Sequence, residues 1–155
     1  MANNLQDEIR QTKPFPRKSA EALLSILRTA TVLEHDQSEA LRPHGLTPTQ
    51  YNVLRILQGA GKEGLCGREI AERLISRVPD VSRLLDRMDE VELLSRERDP
   101  ADRRHVTARI SAKGSRLLIQ ATPSLEVVER KRFRNIAPEV AELLVSSLAA
   151  VRESI

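Results

Sequence analysis

The hydrophobic pattern changes period in mid-chain, and few folds accommodate that change. Val81, Leu84, Leu85, Met88 and Val91 recur at i, i+3, i+4, i+7 and i+10, which is one apolar stripe on an α-helix. Pro79 stands where a helix tolerates proline, at its start, so the helix is placed at about 79–92. Asp80, Ser82, Arg83, Asp86, Arg87 and Glu90 lie off the stripe. Further on, Val106, Ala108 and Ile110 alternate with Thr107, Arg109 and Ser111, the two-residue period of a half-buried strand. A short charged segment from Leu94 to Arg98 precedes them, and residues 99–104 read Asp-Pro-Ala-Asp-Arg-Arg. The region 94–111 is therefore expected to be a β-hairpin with a charged tip.

The flanking regions read as helical. Residues 1–16 are polar, end in Pro14 and Pro16, and are expected to form a flexible arm. With Ser19 as its N-cap, a helix carries Leu23, Ile26, Leu27, Ala30 and Leu33, and the sequence Arg-Pro-His-Gly at 42–45 ends it. A second helix opens at Thr47 with Pro48 in its first turn and carries Tyr51, Val53, Leu54 and Leu57 before Gly59, Gly61 and Gly64. A short third helix spans 68–74, with Ile70, Ala71 and Leu74 expected inward. Ser111 caps a long helix through Leu117, Leu118, Ala121, Leu125 and Val128, with a bend expected at Pro123. The last helix, from about Pro138, is apolar on more than one face. So small a chain has few elements to surround such a helix, so a second copy is expected to cover it.

Composition excludes several classes. Aromatics make up 2% of the 155 residues (Phe15, Tyr51 and Phe133), against a large β-sandwich or an aromatic sugar site. No apolar run approaches membrane-spanning length, and the N-terminus has no secretory h-region, so a cytoplasmic protein is expected. Cys66 is the one cysteine, which excludes an intrachain disulfide and a cysteine cluster for zinc. No metal or cofactor is expected; His35 and Glu39, at i and i+4, would need a further ligand from elsewhere. Gly59-Ala-Gly-Lys62-Glu63 lacks the Ser or Thr that a phosphate loop needs on magnesium and follows a helix rather than a strand. No nucleophile or zincin motif is present, so an enzyme is not expected.

The net charge is only +3, but 20 of the 25 basic residues are arginine, the side chain that pairs bidentately with phosphate and guanine. Residues 96–116 hold seven basic residues against three acidic ones. The order helix, helix, turn, helix, charged hairpin is that of a winged helix-turn-helix, mainly α with a small β-hairpin wing. A helix that buries one stripe and frees a polar face fits the major groove, and arginines at a hairpin tip reach the minor groove. Arg83 on the free face is the first candidate for a base contact. Arg87, a turn further on, is a candidate for a phosphate contact, with pairing to Glu90 as its alternative. Arg77 and Ser82 lie at the helix entrance, and Arg68 lies where the third helix opens toward a phosphate. Asp80 either caps the helix or accepts from cytosine, and capping is the favoured reading. At the wing, Asp99 is expected to brace the hairpin through Arg103 or Arg104 while the other arginine enters the groove.

Three stretches carry a family resemblance. LTPTQYNVLRIL at 46–57, IAERLISRVPDVSRLLDRMDEVELLSRERD at 70–99 and DPADRRHVTARISAKGSRLL at 99–118 resemble the MarR family of bacterial and archaeal transcription regulators. The last stretch carries the D-x-x-D-R-R wing signature and the Ser-x-x-Gly junction into a long helix. The resemblance implies one domain at 17–155, with dimerisation helices at 17–45 and 112–155 around a winged helix-turn-helix at 46–111. It also implies a homodimer that reads a pseudo-palindromic operator in double-stranded DNA, with no membrane role. A ligand-responsive repressor is expected, its small-molecule effector entering a crevice beside the dimerisation helices. The chain departs from the pattern at Ile75-Ser76, where many members have glycine and then an apolar residue, and at Pro79-Asp80, where small hydroxyl residues are common. Two rival readings stay open: a winged-helix protein-interaction module, and a thiol-responsive regulator that uses Cys66.

Overall fold

The computed structural model describes residues 4–98, 100 and 106–153. Two compact units follow one another, residues 1–48 and 49–155.

The first unit contains α1 (Leu5–Glu8) and α2 (Lys18–Leu41), closed by a 3₁₀ turn at Arg42–His44. The one-turn α1 lies in the segment read from sequence as an arm. Asn4 starts it, its side chain accepting from the Gln6 N–H. Helix α2 begins one residue before the expected Ser19 cap; Arg17 is its N-cap and makes no side-chain cap bond. Gly45, at φ 67°, closes the 3₁₀ turn, and Leu41 and Leu46 are buried.

The second unit runs α3 (Pro48–Ala60, entering from the first unit), β1 (Leu65–Cys66), α4 (Gly67–Arg73), α5 (Val81–Glu90), β2 (Leu94–Arg98), β3 (Val106–Ile110), α6 (Ala112–Phe133) and α7 (Pro138–Glu153). Its core is aliphatic: Val53, Leu54, Leu57, Ile70, Leu85, Met88 and Leu94 are fully buried. The α5 stripe buries Leu84, Leu85 and Met88, while Val91 at its end is exposed. Ala71, expected inward, is exposed; on the short α4 only Ile70 is buried.

The sheet has order β1-β3-β2, antiparallel throughout. The hairpin pairs Leu94 with Ile110, Arg96 with Ala108 and Arg98 with Val106. Strand β1 had no sequence signature, because two residues give no alternation to read. It pairs Leu65 with Ala108, and Gly64 makes that pairing possible. At φ 68°, a Cβ there would collide with the Ala108 carbonyl oxygen.

Helix α6 is fastened to the turn that follows α5. The Ser111 hydroxyl caps α6 through the Gly114 N–H at 2.9 Å and donates to the Glu92 carbonyl at 2.6 Å. Lys113 Nζ donates to the Val91 carbonyl at 2.7 Å, and Gly114 lies so close to the Leu93 carbonyl that no side chain fits between them. Tyr51 and Thr122 tie α3 to α6 at 2.9 Å, and Thr122 Oγ1 donates to the Leu118 carbonyl at 2.8 Å. Pro123 sits inside α6 without ending it.

Candidate nucleic-acid interface

The local sequence builds a short helix with an anchored entrance. Leu74 ends α4 in an extended conformation, and the chain crosses residues 75–79 before Asp80 starts α5. Asn52 on α3 holds this crossing, its Oδ1 accepting from the Ile75 N–H at 3.0 Å. Asp80 is the N-cap of α5, accepting from the Arg83 N–H at 2.9 Å, so the capping reading of Asp80 holds. Helix α5 then buries its apolar stripe and leaves Ser82, Arg83, Asp86 and Arg87 exposed.

The two acids that flank Arg83 in the sequence each hold a partner other than its guanidinium. Asp80 caps the helix, and Asp86 pairs with Arg96 of β2. Among the described residues the Arg83 guanidinium has no ion pair, and neither does that of Arg77 or the hydroxyl of Ser82 any bond. Arg87 does not pair with Glu90; its Nε donates back to the Arg83 carbonyl at 3.2 Å. Arg68 opens α4 but pairs along it with Glu72 at 2.9 Å. That hydrogen bond, with the Glu72 charge behind it, holds the Arg68 pKa above its ordinary value. Arg68, Arg77, Ser82, Arg83 and Arg87 thus all lie on or just before α4 and α5. Asp99, Arg103 and Arg104 lie outside the described residues.

Arg96, one of the seven basic residues of 96–116, is not a free surface cation. Strand parity places it on the same sheet face as Leu94, Ala108 and Leu65, the face turned to the core. Its side chain is only 19% exposed, its one carboxylate is Asp86, and its Nε is buried without a partner among the described residues. It binds β2 to α5. Arg109, on the opposite face of β3, bridges Glu97 at 2.8 Å and the Lys62 carbonyl at 2.7 Å, which fixes the wing's base to the end of α3. The signal for Arg96 was present in the sequence: it shares register parity with the apolar residues of both strands. Inward-pointing charges are one way in which an edge strand such as β2 resists pairing with foreign strands.

Two other sequence candidates have partners of their own. Glu39 is paired with Arg42 at 2.8 Å. Cys66 is half-buried at the β1–α4 junction, where its backbone N–H donates to Glu69 at 2.8 Å.

The comparisons agree with this architecture. The model of the MarR family matches residues 44–105. The transcriptional regulator HosA of Escherichia coli O111:H- is 31% identical over 100 residues, covering 64% of this chain and 73% of its own. MhqR, an HTH-type transcriptional regulator of Bacillus subtilis strain 168, is 25% identical over 134 residues, covering 86% of this chain and 91% of its own. The transcriptional repressor CouR, solved bound to a 23-mer DNA duplex, superposes with a TM-score of 0.75 at 26% identity over 92% of this chain and all of its own. These relatives are regulators and not enzymes. On these matches the chain belongs to the MarR family of winged-helix transcription regulators.

Proposed function

We propose that the chain is a homodimeric, sequence-specific DNA-binding repressor of the cytoplasm, released from a pseudo-palindromic operator by a small-molecule effector. The observation that carries the DNA-reading part is the uncommitted Arg83 guanidinium on the exposed face of α5, flanked by acids that are already paired. Arg83 reads a base edge, and Arg77, Ser82 and Arg87 position the helix against phosphates. Arg68 joins them by exchanging Glu72 for phosphate. Arg103 and Arg104 supply the wing contact and Asp99 braces it, as the family's wing signature implies. The domain plan follows the sequence reading, with 46–111 reading DNA and 17–45 and 112–155 assembling the dimer.

Helix α7 supports the dimer. It buries no residue, and Val140, Leu143, Leu144, Val145 and Val151 are all exposed. An apolar surface of that kind on a chain without a membrane-length helix among its described residues is covered by a second copy. The effector acts by favouring a half-site spacing that does not fit the groove repeat, and this requires it to bind one spacing more tightly than the other.

The test is a fluorescence-anisotropy titration of the DNA upstream of the chain's own gene, beside a scrambled duplex, at two salt concentrations. A duplex selected from a random pool replaces it if that DNA holds no site. The expected result is at least about a thousandfold preference for the operator, with affinity falling steeply in salt. Arg83→Ala should cost about 1–3 kcal/mol per half-site. An Arg83→Ala variant that keeps wild-type affinity and selectivity removes the reading of α5 as the base-reading helix.

A further inference from the structure

Most exposed large apolar residues of the chain lie on α2, α6 and α7, the helices assigned above to the dimer. Ile75 stands apart. At 86% it is the most exposed large apolar side chain among the described residues, and it sits between α4 and α5. A branched alkyl group in water forgoes the stabilisation that burial would give, so packing within the chain does not account for it.

Its backbone is nevertheless fixed. The Ile75 N–H is held by Asn52 at 3.0 Å, Leu74 has just ended α4, and Pro79 restricts the entry to α5. Isoleucine is also stiff at χ1, so a contact through its methyl groups costs little conformational freedom. Exposed Arg73 and Arg77 stand two residues to either side, neither with an ion pair among the described residues. An apolar tip between two free cations, five residues ahead of the cap of the reading helix, is drawn to a polyanion and meets an apolar feature on it. In the major groove that feature is the C5-methyl group of thymine.

We infer that Ile75 is a specificity-determining residue that reads a thymine methyl group at the edge of each half-site, in van der Waals contact beside the bases read from α5. The inference rests on the proposed DNA-reading role of α5 and extends the reading surface into the turn before it. Arg73 and Arg77 hold the flanking phosphates and so add affinity without selectivity. An apolar contact adds selectivity with little dependence on salt.

The test is a selection from random duplexes with the wild-type protein and with Ile75→Ser, followed by titrations on the wild-type consensus. The wild type should enrich a thymine at one symmetric pair of positions that Ile75→Ser no longer selects, while the remaining consensus stays the same. Replacing that thymine by deoxyuridine, which removes only the methyl group, should weaken the wild type about fourfold per half-site, the worth of one buried methyl group. Ile75→Ser should bind both duplexes equally, and Ile75→Val should retain most of the discrimination. Ile75 is exposed, so these variants are expected to fold as the wild type does. Identical consensus sequences from the two proteins, or an equal loss by Ile75→Ser on every duplex, overturn the inference while leaving α5 as the reader. A selection in which the wild type itself enriches nothing overturns both.

Discussion

Asp86 and Arg96 form an ion pair whose two ends are unequally buried, and the inequality predicts which end matters more. The Asp86 side chain is 56% exposed and that of Arg96 is 19% exposed. Exposed pairs contribute about 0–1 kcal/mol, whereas truncating one member of a fully buried pair costs about 3–5 kcal/mol. Asp86→Ala leaves a guanidinium largely out of water with no carboxylate, its Nε already unpaired. The expected loss lies between those limits, at about 1–3 kcal/mol. Arg96→Met keeps the aliphatic stem against Ala108 and leaves behind a carboxylate that water can solvate, so its cost should stay below about 1 kcal/mol. The double variant should recover most of the Asp86→Ala loss, with a coupling energy of about 1–2 kcal/mol. Urea denaturation at one fixed protomer concentration measures all three, provided the slope of the transition is unchanged. Equal losses for the two single variants, or strict additivity in the double, would refute the account of Arg96 as a buried cation answered by a single acid.

Three further outcomes follow from the same geometry. Asp80→Ala should destabilise the protein by about 1 kcal/mol through the lost α5 cap and Asp80→Asn by much less; equal effects in denaturation would point to the charge rather than the cap. Gly114→Ala places a methyl group against the Leu93 carbonyl and should lower the melting temperature by several degrees, about 2–4 °C for each kcal/mol; an unchanged melting curve would contradict the close approach. Leu143→Glu with Val145→Glu should shift the mass measured by sedimentation from dimer toward monomer; a stable dimer in that variant would move the interface away from α7.

What was legible in the sequence was whatever repeats. The α5 stripe and the β3 alternation each state a period and a face, and Leu84, Leu85, Met88 and Ala108 lie inside as that pattern requires. Caps were legible where one side chain meets the next few N–H groups, as at Ser111 and Asp80. Contacts between elements were not. Arg96 and Asp86 are ten residues apart on a strand and a helix, and Asn52 reaches Ile75 from another helix. No local rule pairs such residues, since the topology alone brings them together. The two-residue β1 and the exposed Ala71 escaped for the opposite reason, too little sequence to define a face. In the candidate site the residue types and their helix could be read. That Arg83 keeps its charge uncommitted, while Arg68 and Arg87 bond within their own helices, depended on side-chain geometry.

The fastening of α6 to the turn after α5 makes the long helix a lever with α5 at its near end. Ser111, Lys113 and Gly114 fix the start of α6 to that turn, so a rotation of the shaft is passed to α5. Ala112–Phe133 is about 33 Å long at 1.5 Å per residue, and a tilt of roughly 6° about its far end carries the near end through about 3.4 Å, one step of the DNA ladder. In the proposed DNA-reading arrangement, a tilt of that size is enough to put α5 out of step with a half-site.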